Sequence, residues 1–196
     1  MTTRKNSTSG RTHDPVLTDL SAPCGRHFIF RDFVECGETW AATGAMGPVD
    51  NLPRQAETLE GIKRLCREVM DPLVERFGGV RLTYGFASRA LTQHIHARTA
   101  PALDQHAGCE LGRSGHLVCT RRGQAVDVVV ADVPSQLVAR WIADETPFDR
   151  LYFYGSDRPL HVSVGPDESR SIVWMHPAKG GRQVPRVVRV RDLPDG

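Results

Sequence analysis

One short run constrains this chain more than any other. Ala125-Val126-Asp127-Val128-Val129-Val130 is apolar at five of six positions and β-branched at four. Such a run reads as a buried strand, because β-branched side chains pack well on a pleated surface. It also holds a carboxylate. A lone Asp in that setting is costly unless it is paired or bound to a metal. The plainer reading is that Asp127 faces solvent, since alternate strand residues point to opposite faces.

The rest of the chain falls into elements around this run. Leu59, Ile62, Cys66, Val69 and Leu73 recur at spacings of three and four. They predict one amphipathic helix over 57–77, ended by Gly78-Gly79 and kinked by Pro72. Strands are expected over 80–86, 150–154, 160–164 and 171–175, with a last edge strand over 184–190. Shorter helices are expected over 88–97 and 134–143, the second opened by Pro134. Residues 28–40 concentrate aromatics and form an arm expected to pack on the core, and 44–53 is a loop by composition. Residues 99–122 show no period and are broken by glycines. A loop that long inside a domain is more often functional than filler. The expected class is α+β, one domain with helices packed on a mainly antiparallel sheet.

A length of 196 residues suits one domain that needs no staples. The formal net charge is +2, so charge alone does not make the chain a nucleic-acid binder. Five cysteines, an odd number, argue against a closed disulfide framework. No apolar run is long enough to span a membrane, and 1–14 is polar without a secretory leader pattern. A cytoplasmic protein with reduced thiols and no membrane partner is the expectation. The oligomeric state is left open.

Two histidines complete a set with Asp127. His161 lies inside the expected strand Leu160-His161-Val162-Ser163-Val164, and His106 opens the Gly-rich segment Asp104-Gln105-His106-Ala107-Gly108. Two imidazoles and a carboxylate suit a catalytic zinc, Zn2+, which takes three protein ligands and keeps a fourth position for water. Taken singly, His161 has a plainer reading as a satisfied core or edge histidine.

The stretch Gly123-Gln124-Ala125-Val126-Asp127 resembles the Gly-x-Ala-x-Asp end of a zinc motif. That motif, Ser-x-His-x-x-Gly-x-Ala-x-Asp, belongs to the D-Ala-D-Ala carboxypeptidase and Hedgehog-type metallopeptidases (peptidase M15-like). Gln105-His106 is similar to its histidine part, and Leu160-His161-Val162-Ser163 to the segment with the last ligand. The likeness covers roughly residues 50–166. It implies a Hedgehog/DD-peptidase fold and a zinc-dependent metallopeptidase or amidase acting on a peptide or peptidoglycan-derived substrate. It also implies His106, Asp127 and His161 as metal ligands. On this view residues 1–22 are a disordered tail and 23–50 an N-terminal arm. Residues 51–177 are the zinc peptidase-like core, and 178–196 a basic C-terminal extension.

The chain departs from the pattern in three places. His106 and Gly123 are 17 positions apart where the motif has three, so about 14 residues must loop out, and His116 is a rival first ligand. Ala87, in Gly85-Phe86-Ala87-Ser88-Arg89, stands where the family carries a substrate-holding Arg, so Ser88 and Arg89 become the nearby candidates. The carboxylate nearest the last ligand is Asp157, four residues before it. It is read either as the general base or as an ordinary turn residue. Arg158 is a candidate anion contact.

Other chemistries are weaker. Cys109 lies near His106, but no thiol opens a well-marked helix where its pKa would fall. Cys109, His116 and Cys119, or Cys24, His27 and Cys36, form incomplete structural zinc sets. Lys179, Arg182, Arg186, Arg189 and Arg191 enrich the C-terminus, which keeps a nucleotide- or nucleic-acid-linked substrate as the alternative, beside a zinc module without catalysis.

Overall fold

The computed structural model describes residues 17–43, 49–95 and 100–194. The glycine-rich loop at 44–53 and the helix expected to 97 therefore lie partly outside the described residues, as does 1–16 of the expected tail. The described remainder of that tail is packed: Leu17 is buried, and the backbone of Ala22 and Leu20 accepts hydrogen bonds from Phe30 and Arg31.

The chain is α+β, with one six-stranded sheet and a few helices. Helix α1 (Phe30–Val34) and α2 (Glu38–Thr43) lie in the arm. Phe30, Phe33 and Val34 bury the inner face of α1. Next come α3 (Ala56–Leu65) and α4 (Asp71–Phe77), joined through a π-helical stretch, Cys66–Met70. The single helix expected over 57–77 is thus continuous but widened in its middle. Pro72 explains the widening: it lacks an N–H and its ring crowds the carbonyl of residue 68. The backbone N–H of Asp71 accordingly reaches back five residues to Cys66.

Strand β1 (Val80–Tyr84), α5 (Arg89–Thr92), β2 (Gln124–Val130), α6 (Ser135–Glu145), β3 (Arg150–Phe153), β4 (Leu160–Val164), β5 (Ser171–Pro177) and β6 (Gln183–Val188) complete the order. The sheet runs β1-β2-β4-β3-β5-β6. All neighbours are antiparallel except β3 and β5. The apolar run Ala125–Val130 lies in β2, second in the sheet, with β1 and β4 on its two sides.

The two faces of the sheet differ. Val126, Val128, Leu151, Phe153, Leu160 and Val162 are buried on one face, under α3 and α6. The opposite face carries the alternate residues, Asp127, Val129, His161 and Tyr152. Register partners share a face. Tyr84, Asp127, His161 and Tyr152 therefore form one cross-strand row over β1, β2, β4 and β3. This is why a carboxylate survives inside so apolar a strand: its neighbours in sequence face the core, and it does not.

The long segment before β2 is anchored at its root and loops outward. Two 3₁₀ turns, Pro101–Leu103 and Gln105–Ala107, precede it. Glu110 is buried, and its carboxylate accepts the backbone N–H groups of Arg54 and Gln55 and the hydroxyl of Thr58. Leu111 and Leu117 then bridge antiparallel, closing a small excursion whose residues 113–116 are exposed. Cys119 returns to the interior, and the Thr120 N–H bonds Ala102. Among the described residues no helix is long and apolar enough to cross a membrane.

Candidate metal centre

The three expected ligands come from three different elements. His161 and Asp127 are register partners on β4 and β2, placed side by side by the sheet itself. His106 comes from the 3₁₀ turn Gln105–Ala107, which folds down onto the open face. His161 Nδ1 lies 2.8 Å from Asp127 Oδ1, His106 Nε2 3.2 Å from the same oxygen, and the two ring nitrogens 3.1 Å apart. His106, Asp127 and His161 are, among the described residues, the group of His, Cys and acidic side chains that could hold a metal ion. His116 is exposed on the excursion and takes no part. Neither incomplete cysteine–histidine set comes together as a metal group.

Each ligand is held from behind. His106 Nδ1 faces the carbonyl of Gly85 at 2.8 Å, to which only an N–H can donate. A neutral His106 therefore presents the lone pair of Nε2 to the centre. Its ring lies against Tyr84, centroids 4.3 Å apart, and His161 meets Tyr152 in a T-shaped contact, centroids 5.1 Å apart. The preceding residue, Gln105, is fully buried and pins the turn. Its Nε2 donates to the Arg122 carbonyl and to Asp149 Oδ2, and its Oε1 accepts from the Ser163 hydroxyl at 2.8 Å. Asp149 is itself buried. Burial raises its carboxyl pKa, but hydrogen bonds from Ser169 and Gln105 outweigh this and keep it low.

Gly123 sets the start of β2. Its φ is +78°, and an added Cβ would lie 1.9 Å from the Val164 carbonyl oxygen. Only glycine lets the chain enter β2 this close to β4.

The electrostatics favour a cation. Burial alone would push the His106 pKa down, yet the Asp127 carboxylate lifts it above the usual histidine value. Burial alone would raise Asp127, but the two imidazoles, His106 foremost, hold it well below the ordinary carboxylate range. A carboxylate oxygen and two imidazole nitrogens crowded this closely repel one another unless a proton or a metal ion sits among them. Two imidazoles and one carboxylate are a usual zinc donor set. Tetrahedral ligands about 2.0–2.1 Å from an ion stand roughly 3.3 Å apart, close to the spacing found. The residues present therefore fit the metal.

The trio lies in a cleft of about 860 Å³. Asp157 and Arg158 line it, as the sequence led us to expect; Asp157 is exposed and makes no hydrogen bond to the trio. Ser88 and Arg89 do not line it. Ser88 caps α5, accepting from the Leu91 N–H and donating its hydroxyl to the Asp50 carbonyl, and Arg89 points to solvent. The cleft instead adds Arg81 on β1, Tyr84, Tyr152 and Tyr154, with Gly37, Glu38 and Thr39 of the arm as a wall. Arg81 pairs with Val129, two positions along β2 from Asp127, and so shares its face. The alternation of β1 carried that signal; its partner strand did not show in the sequence. Burial, with the Asp127 charge second, raises the Tyr154 phenol above its ordinary range, so it stays protonated as a donor.

No protein-family model matches the chain, and neither does any curated protein or solved structure.

Proposed function

We propose that this protein is a zinc-dependent hydrolase, an amide hydrolase of the D-Ala-D-Ala carboxypeptidase and Hedgehog type acting on a peptide or peptidoglycan-derived substrate. The observation that carries this reading is the convergence of His106 Nε2, Asp127 Oδ1 and His161 Nδ1 within a cleft of substrate size. Bound zinc would supply Lewis acidity there, polarising the carbonyl under attack and acidifying water. Within this reading the chain's own groups divide the remaining work. Asp157, exposed on a turn at the cleft and not bonded to the trio, takes the proton from the attacking water and returns it to the leaving amine. Arg158, Arg81 and the Tyr154 hydroxyl face the cleft as cations and donor for developing negative charge. Tyr84 and Tyr152 hold the two imidazoles in orientation.

Metal analysis is the first test. Purified protein should carry one zinc per chain, and His106→Ala, Asp127→Ala and His161→Ala should each lose it. Retention of stoichiometric zinc by all three variants would remove the site. Asp157→Asn should keep zinc and lose turnover; full activity would take Asp157 out of the reaction. Release of D-Ala from muropeptides, run beside nucleotide-linked amides, decides the substrate class, and turnover of only the latter would overturn the peptide reading.

A further inference from the structure

The arm touches the helical layer at one unusual place. Cys24 opens a tight turn in which its own N–H and that of Gly25 both bond the Phe28 carbonyl. The turn rests on the π-helical stretch. Cys24 Sγ lies 3.4 Å from Cys66 Sγ, and both residues are buried. A Cβ on Gly25 would come within 2.7 Å of Cys66 Cβ, so the two backbones are about as near as they can be. The Asp71 carboxylate fastens the same turn, accepting from the N–H groups of Arg26 at 2.8 Å and His27 at 3.1 Å. Two thiols 42 residues apart in sequence are thereby held in contact by a hydrogen-bonded frame that owes nothing to them.

We propose that Cys24 and Cys66 are a convertible pair that closes to an intramolecular disulfide on exchange with a small-molecule disulfide, and so locks the arm to the helices. The thiolate of one cysteine attacks the small disulfide and expels one thiol. The second cysteine then attacks the mixed disulfide and expels the other. Two electrons and two protons pass from the pair to the oxidant, which leaves as two thiols. An S–S bond is about 2.05 Å long, so the sulfurs must approach by little more than an ångström. The other three cysteines offer no such partner. Cys36 has its sulfur against the Phe33 carbonyl and Cys119 against that of Ala102. The hydrogen bond to the Cys24 thiol, and burial after it, keep Cys66 protonated in the closed fold, so exchange waits on opening of the arm.

The lock has a route to the candidate metal centre. From the Cys24 turn the arm runs through α1, where the Phe33 carbonyl accepts the Phe86 N–H at 2.8 Å. Gly85, beside Phe86, is the residue whose carbonyl holds His106. Further on, Gly37 to Thr39 wall the cleft. Closing the disulfide pins the far end of the segment that backs His106.

The purified protein is incubated with excess oxidised glutathione, with and without a urea concentration below the unfolding transition. Thiols are then counted on the denatured chain, and the linkage is mapped by digestion and mass spectrometry. The expected titre falls by two from five, with the Cys24 peptide joined to that of Cys66. Closure should be faster in urea, and the urea midpoint should rise until a reductant restores it. Cys24→Ser and Cys66→Ser should each abolish the linked peptide and leave at most a glutathione adduct. An unchanged titre, or linkage that prefers Cys36, Cys109 or Cys119, would overturn the proposal. Because the readout is a covalent link, it stands or falls apart from zinc content and turnover.

Discussion

Gly123→Ala tests how the sheet builds the centre. The position has φ +78°, and a methyl group there would sit 1.9 Å from the Val164 carbonyl oxygen and 2.7 Å from the Gly165 Cα. Both obstacles are backbone of the neighbouring strand, so no side chain can swing away. To reach an ordinary contact the entry to β2 must retreat from β4 by about 1 Å or more, against a strand spacing of about 4.8 Å. That disturbs the first register pairs of the ladder, Gln124 with Val164 and Ala125 with Ser163, one of which exchanges two backbone hydrogen bonds. The left-handed conformation costs an alanine about 1–2 kcal/mol. Losing two ladder bonds costs about 1–3 kcal/mol more. A destabilisation of about 3–4 kcal/mol is expected, a large share of a typical folding free energy. Gly115 supplies the control: its φ is also +78°, with nothing within 4 Å of an added Cβ. Gly115→Ala should therefore cost only about 1–2 kcal/mol, the backbone part alone. Urea unfolding of the two variants reads the difference. Since Gly123 directly precedes β2, four residues before Asp127, Gly123→Ala should also weaken zinc binding. Equal losses in the two variants would refute the steric reasoning, as would full zinc affinity in a destabilised Gly123→Ala protein.

Gln105→Ala removes the anchor of the turn that carries His106; zinc affinity should fall by about 10-fold or more while the protein stays folded, and unchanged affinity in a competition titration would remove Gln105 from the support of the site. In metal-free protein the raised His106 pKa contributes stability that is full below about pH 6.5 and is lost as pH rises through the folded value. The depressed Asp127 pKa contributes stability that is present above about pH 4 and is lost as pH falls through its folded value. Zinc uptake just above pH 6.5 should thus release a proton from His106, seen as a buffer-dependent binding heat; a heat independent of buffer would contradict this. Asp71→Ala strips the acceptor from two backbone N–H groups of the Cys24 turn and should cost about 3 kcal/mol in urea unfolding, and a cost below about 1 kcal/mol would show that the turn is held some other way.

Much of this was legible in the residues because the deciding forces are local. The alternation of β2 and β4 comes through, and with it the oddity of Asp127 and His161 in apolar strands. The α+β class follows from such patterns, whereas His106 joins the pair only through the likeness to a zinc motif. What did not show was which strands are neighbours. The parallel pairing of β3 with β5 is a long-range choice, and so is the placing of β1 beside β2 that puts Arg81 and Tyr84 in the cleft. Ser88 and Arg89 are candidates only by nearness in sequence to a motif position. The chain turns there to start α5, and Ser88 is spent on capping it. Gln105 looked like an ordinary polar residue, because its partners Ser163 and Asp149 are 58 and 44 positions away.

The excursion between His106 and β2 gives this chain a place where length is free. Its neck is tied by the Val118 N–H to the Glu110 carbonyl and by Thr120 to Ala102, and its outer residues touch solvent. Everything that positions the metal ligands lies on the near side of that neck. Doubling such a loop costs only about 0.6 kcal/mol in closure entropy. Residues 112–116 are therefore a permissive insertion point. A tag, a fluorophore or a whole guest domain grafted there would ride on the protein without moving the ligands, and a new substrate-gripping element could be acquired there by the same route.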